Sequence, residues 1–133
     1  MSQLVIPQSI LTQIIAHAQR EAPKEACGLI SGRDGTAVKA YPITNTDQSN
    51  VTYLMDPKEQ FAAFKEMRQA GTELLAIYHS HPATEAYPSP TDKKLAFYPE
   101  AYYVIISLAQ TEPVVRAFTI VNGEVKERPI KIF

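Results

Sequence analysis

Two histidines with one residue between them, in His79-Ser80-His81-Pro82, are followed by Ser89-Pro90-Thr91-Asp92, with seven residues between His81 and Ser89. Two imidazoles and one carboxylate can hold a divalent metal and leave a coordination position open for water, the donor set of a hydrolytic zinc site. Zinc suits this set best, although iron or manganese would accept the same residues. The apolar run Leu74-Leu75-Ala76-Ile77-Tyr78 predicts a strand buried on both faces that delivers the histidines at its carboxyl end. The expectation is that Pro82 ends the strand and that a bend in the backbone there lets both histidines reach one metal. Asp92, at the start of the next helix, is the natural third ligand.

Each motif has a plainer reading when taken alone. A His-x-His pair can be purely structural, and the second motif reads as a helix start, with Ser89 as N-cap, Pro90 at N1 and Asp92 at N3 beside the positive helix end. Cap and ligand roles coexist, because the cap fixes the backbone on which Asp92 is aimed. Glu85, in the loop between the ligands, is a candidate base on position alone, with a solvated loop charge as the alternative. Cys27 lies in an apolar run, where cysteine behaves as a small buried hydrophobe, and no histidine remains to activate it once His79 and His81 bind metal. His17, the remaining histidine, falls in a helix, where packing or exposure suits it better than a fourth ligand position. Ser80 is expected to point away from the metal and to pack or hydrogen-bond locally.

The elements that must position these groups are legible from periodicity. From Pro7, the residues Ile10, Leu11, Ile14, Ile15 and Ala18 recur at helical spacing, with the proline in the first turn. Cys27-Gly28-Leu29-Ile30, closed by Ser31 to Gly35, and Val38 to Ile43 predict a hairpin. Asp56-Pro57-Lys58-Glu59 opens a helix running from Pro57 to Ala70 and ending at Gly71. Three strand-like segments follow the ligand loop: Tyr102 to Leu108, Val114 to Val121 and Val125 to Ile132, with Asn122-Gly123 turning the last hairpin. Mixed α/β architecture follows, in a single domain over residues 1–133.

Composition narrows the function classes. With 13 basic and 14 acidic residues interspersed and a net charge of −1, no basic stripe exists to bind nucleic acid or an anionic membrane. The opening MSQLVIPQSILTQ lacks a basic n-region and a small-residue cleavage site, and no apolar run approaches the ~18 residues of a membrane span, which points to the cytoplasm. One cysteine cannot form an internal disulfide and excludes a site built on several thiolates. It also excludes a zinc nucleobase deaminase, which needs Pro-Cys-x-x-Cys.

The order and spacing of His79-Ser80-His81-Pro82 and Ser89-x-x-Asp92 resemble the signature of the JAMM/MPN+ (Mov34/MPN/PAD-1) zinc metalloprotease family. Upstream, Pro23-Lys24-Glu25-Ala26-Cys27-Gly28-Leu29 is similar to that family's first-strand segment, which carries its catalytic glutamate at the position of Glu25. With the order of elements, the resemblance covers essentially the whole chain. It implies a cytidine-deaminase-like α/β fold, a curved mixed β-sheet flanked by helices, and zinc held by His79, His81, Asp92 and water. It implies Glu25 as general base, returning its proton to the departing amine, and Ser89 as the hydroxyl that stabilises the oxyanion, a role drawing on the same oxygen as the cap.

The resemblance further implies peptidase or isopeptidase action after the Gly-Gly tail of a ubiquitin-like partner. Family members that grip two ubiquitins carry insertions for which this chain has little room. It looks more like the minimal prokaryotic branch, which trims ubiquitin-like sulfur carriers or releases an amino acid such as cysteine from them. The tail is expected to pair with a sheet edge beside the zinc. A non-catalytic MPN-type scaffold that binds ubiquitin-like proteins or partner subunits is the alternative, although such domains typically lack the ligand set. The sequence does not give the oligomeric state.

Overall fold

The computed structural model describes residues 3–133, so the reading of the N-terminus as free of a leader rests partly on Met1 and Ser2, outside the described residues. In chain order the elements are β1 (Leu4–Ile6), α1 (Gln8–Glu21), β2 (Cys27–Arg33), β3 (Thr36–Ile43), α2 (Pro57–Ala70), β4 (Glu73–His81), α3 (Pro90–Lys94), β5 (Tyr102–Ser107), β6 (Val114–Val121), β7 (Glu124–Arg128) and β8 (Ile130–Ile132).

Local chemistry explains most boundaries. The Asp56 carboxylate accepts from the amides of Lys58 and Glu59, Pro57 fills the first helical position, and Gly71 closes α2 with φ 71°. Pro7 is the N-cap of α1 rather than a residue of its first turn. Both tight hairpins use a two-residue turn with positive φ at each position: Asp34-Gly35 (53° and 80°) between β2 and β3, and Asn122-Gly123 (51° and 79°) between β6 and β7.

The strands form one sheet in the order β7-β6-β5-β4-β2-β3-β1-β8. Pairing is parallel for β4 with β5, β1 with β3 and β1 with β8, and antiparallel elsewhere, so the sheet is mixed. Its two edge strands, β7 and β8, are joined through Pro129 alone, which forces the sheet to curl until it nearly closes. This corrects the expectation of one strand over Val125 to Ile132. Proline donates no ladder hydrogen bond, so the segment breaks there, and β8 crosses to pair with β1, a strand the periodicity did not predict.

Each face of the sheet carries a core. Ala76 and Tyr78 of β4 pack with Ile10, Leu11, Ile14 and Ala18 of α1, while Ile77 packs with Ala63 and Met67 of α2. His17 belongs to the first core: its Nδ1 lies 2.7 Å from the buried Tyr78 hydroxyl, fastening α1 to β4. Gly28 lets that ring cross β2, since a Cβ there would collide with it. Among the described residues no helix is long and apolar enough to cross a membrane.

Candidate metal centre

β4 does not stop at Tyr78. It continues in register with β5 as far as His81 opposite Ser107, so both histidines sit in regular strand. The expected bend is therefore not needed. Residues i and i+2 of a strand point to the same face, and that alternation alone brings His79 and His81 together, with Nε2 atoms 3.2 Å apart. Ser80, between them, points to the other face, where its hydroxyl accepts from the Ala26 amide at 2.7 Å, the local hydrogen bond expected of it.

Asp92 arrives from α3. Ser89 Oγ accepts from the Asp92 amide at 3.0 Å, and Asp92 Oδ2 accepts from the Ser89 amide at 2.9 Å, a reciprocal capping box. The same Oδ2 lies 3.1 Å from His79 Nε2 and 3.0 Å from His81 Nε2. Cap and ligand geometry are thus one arrangement. Ligands of a tetrahedral metal at ~2.0–2.1 Å stand roughly 3.3 Å apart, so these three donor atoms are spaced to hold a metal ion between them.

The surroundings orient the donors. His81 Nδ1 donates to the Glu85 carbonyl at 2.8 Å, which leaves the lone pair on Nε2 facing the site. The His79 ring stacks on Tyr53, with centroids 4.7 Å apart and planes at 28°. Its Nδ1 is buried without a hydrogen-bond partner among the described residues, so stacking fixes this ring where a hydrogen bond fixes the other. Burial alone would raise the Asp92 pKa. The hydrogen bonds from His79 and His81 outweigh it and hold the carboxyl well below the usual range. Burial would likewise lower the His81 pKa, but Asp92 and the Glu85 carbonyl raise it. The two shifts are largely two sides of the same contact between imidazole and carboxylate.

Glu25 stands just before β2, 3% exposed, and its Oε1 is buried with no partner among the described residues. Burial pushes its pKa up to about 7, with the nearby His81 opposing the rise and Asp92 adding to it. A carboxyl poised near neutrality beside a triad spaced to hold a metal has the properties of a general acid–base. Glu85, the positional rival, is exposed, and what it gives the site is its backbone carbonyl. Cys27 is buried, its thiol pushed up to about 12 by burial and then by Glu25, so it stays protonated and unreactive.

One contributor had no signal in the sequence, Tyr53. It lies in the irregular segment between β3 and α2, where no periodicity marks an inward-facing residue. The strand that carries the histidines offers no free edge of its own. β4 is paired on both sides, by β2 and by β5, and the edges of the sheet are β7 and β8.

Known proteins resemble this chain over most of its length. The pattern of a family described as prokaryotic homologs of the JAB domain matches residues 7–121. A protein named CysO-cysteine peptidase from Mycobacterium tuberculosis is 40% identical over 132 residues, covering 97% of this chain and 90% of its own length. A Thermus thermophilus protein named probable TtuB-protein conjugate cleaving protease is 41% identical over 122 residues, 91% of this chain and 78% of its own. The solution structure of DSY2949 from Desulfitobacterium hafniense superposes with a TM-score of 0.89 at 43% identity, covering 98% of this chain and 92% of that one.

Proposed function

This chain belongs to the family of prokaryotic JAB-domain proteins, and from that premise we propose that it is a zinc-dependent peptidase of the cytoplasm. Its substrate is the amide bond after the C-terminal Gly-Gly of a ubiquitin-like sulfur-carrier protein. The observation that carries the reading is the convergence of His79 Nε2, His81 Nε2 and Asp92 Oδ2 within 3.0–3.2 Å of one another, beside Glu25, whose buried Oε1 has no hydrogen-bond partner among the described residues. A non-catalytic scaffold has no use for such a set. The relatives' names supply the substrate class: one acts on a cysteine adduct of CysO and another on TtuB–protein conjugates.

Zinc held by His79, His81 and Asp92 would supply Lewis acidity and a hydroxide nucleophile at neutral pH. Everything else falls to the chain's own groups. Glu25, ionised, takes the proton from the attacking water and hands it to the departing amine, which would otherwise leave as an unstable amide anion. Ser89 donates its hydroxyl hydrogen to the oxyanion. Its cap to the Asp92 amide uses an oxygen lone pair and not that hydrogen, so the two roles do not compete. Because β4 is paired on both sides, the extended Gly-Gly tail pairs instead with exposed backbone of the segment 82–89 that follows it. Glycine at both positions keeps that approach free of side chains.

The test is to incubate the zinc-loaded protein with a sulfur carrier extended past Gly-Gly by one residue, and with the same carrier joined to a lysine side chain. Mass spectrometry should show the carrier ending at Gly-Gly from at least one of the two. Intact carrier from both, with zinc bound, would defeat the proposal.

A further inference from the structure

Asn45 is buried, 7% exposed, and its side-chain amide makes every hydrogen bond it can. Nδ2 donates to the carbonyls of Glu25 at 3.0 Å and Thr52 at 3.1 Å. Oδ1 accepts from the amides of Asp47 at 3.0 Å and Leu54 at 2.9 Å. Two of these contacts, at Thr52 and Leu54, grip the peptide groups on either side of Tyr53, whose ring stacks on His79. A third grips the backbone of Glu25 itself. The same segment holds Glu25 a second time, because the Glu25 amide donates to the Ser49 carbonyl at 2.8 Å.

We propose that Asn45 is a positioning residue for catalysis, one amide that sets both the Glu25 carboxyl and the Tyr53 ring that backs His79. The proposal rests on the reading of Glu25 as the base. Glu25 precedes β2 and has no strand partner across it to fix its backbone. Its carboxyl finds no hydrogen bond among the described residues, so its aim depends on where the main chain is held. That hold comes from Asn45 and Ser49 on one side and, one residue on, from the Ser80 hydroxyl bound to the Ala26 amide. Among the described residues the Asn45 side chain hydrogen-bonds to Glu25, Asp47, Thr52 and Leu54 and to none of His79, His81 and Asp92, so it acts through the groups it holds.

Asn45→Asp tests this with little change of shape. It keeps the acceptors for Asp47 and Leu54 but sets a carboxylate oxygen against the carbonyls of Glu25 and Thr52. The variant should fold and bind one zinc, while kcat falls roughly 10- to 100-fold, the usual cost of misplacing a reacting group by about 1 Å. KM should stay within about threefold, because ground-state binding is untouched. In a Glu25→Gln background the same change should cost no more than about twofold, because the share of its effect that runs through the Glu25 carboxyl is already lost and only the smaller share carried by Tyr53 is left.

A second readout needs neither metal nor turnover. In the zinc-free protein the His79 ring protons, shifted upfield by the stacked Tyr53, should move downfield in Asn45→Asp. Should Asn45→Asp fail to fold, Ser49→Ala loosens the same segment from a more exposed position, by removing the hydroxyl that accepts from the Val51 and Thr52 amides. It should show a smaller kcat loss that likewise disappears without Glu25. Leu11→Ala, in the core under α1, serves as the control: it should lower Tm and leave kcat alone. Losses that multiply with Glu25→Gln, or an unmoved His79 resonance, would overturn the proposal. Full activity of Glu25→Gln by itself would instead refute the base assignment, and the single mutant reveals that first.

Discussion

At the scale of single residues, the proposed mechanism separates groups that hold a metal from groups that move protons. Glu25→Gln keeps the shape and removes the proton acceptor. We expect zinc content and Tm to stay near wild type while kcat drops by roughly 10²–10⁴, the usual contribution of general acid–base catalysis. The pH profile gives the sign. Burial places the Glu25 carboxyl at about 7, and a nearby cation favours its charged form. The ionised base is therefore lost as pH falls, and kcat/KM of the wild type should decline on the acid side with a limb at or below that value. The limb should be missing in Glu25→Gln. Glu85→Gln leaves the carbonyl that holds His81 in place, and it should behave as wild type in the same assay. A silent Glu25→Gln with an inactive Glu85→Gln would transfer the role. Cys27→Ser should cleave at an unchanged rate, because the thiol stays protonated well above working pH. A buried hydroxyl replacing it costs stability of about 1 kcal/mol, readable as a lower Tm. An inactive but folded, zinc-loaded Cys27→Ser would reopen a thiol mechanism.

At the scale of elements, α3 is the part on which the site depends most directly. It has five residues, too few to be stable alone, and Ser89 and Asp92 hold its first turn by capping each other. Ser89→Ala should keep zinc, because the three donor atoms remain. It should lose about 1 kcal/mol with the cap and roughly 10²–10³ in kcat with the oxyanion donor. Calorimetry and steady-state kinetics on one preparation read both. A thermal loss without a kinetic one would leave Ser89 a cap and nothing more. The two sides of this site differed in how far the sequence disclosed them. Asp56-Pro57, Gly71, Asn122-Gly123 and the Ser89 cap are local signals, each complete within a few residues, and the structure follows them closely, whereas the turn expected over Ser31 to Gly35 narrows to Asp34-Gly35 because β2 runs on to Arg33. The His79 and His81 pairing was visible, but its cause was misplaced. The strand extends to His81 because β5 pairs with it, a non-local contact that the apolar run ending at Tyr78 does not carry. Tyr53 and Asn45 were invisible for the same reason, since their partners lie 26 and 20 positions away.

At the scale of the whole molecule, the sheet is wound so that its first and last strands, β1 and β8, meet, and Pro129 carries the chain from one edge to the other. No local pattern announces such closure, which only the complete strand order reveals. What it accomplishes is to leave β4 in the interior, held by β2 and β5. The two imidazoles therefore project from a strand paired on both sides, while Glu25 enters from the segment just before β2. The central claim is that a metal held by His79, His81 and Asp92 is what makes this fold a peptidase. The direct measurement is to strip the protein with a chelator, titrate zinc back, and follow release of the carrier ending at Gly-Gly. Activity should rise in proportion to zinc and level off at about one equivalent per chain, the capacity of a three-ligand site, and Asp92→Ala should neither take up that equivalent nor cleave. Undiminished cleavage in the stripped protein, or full zinc uptake by Asp92→Ala, would contradict the account.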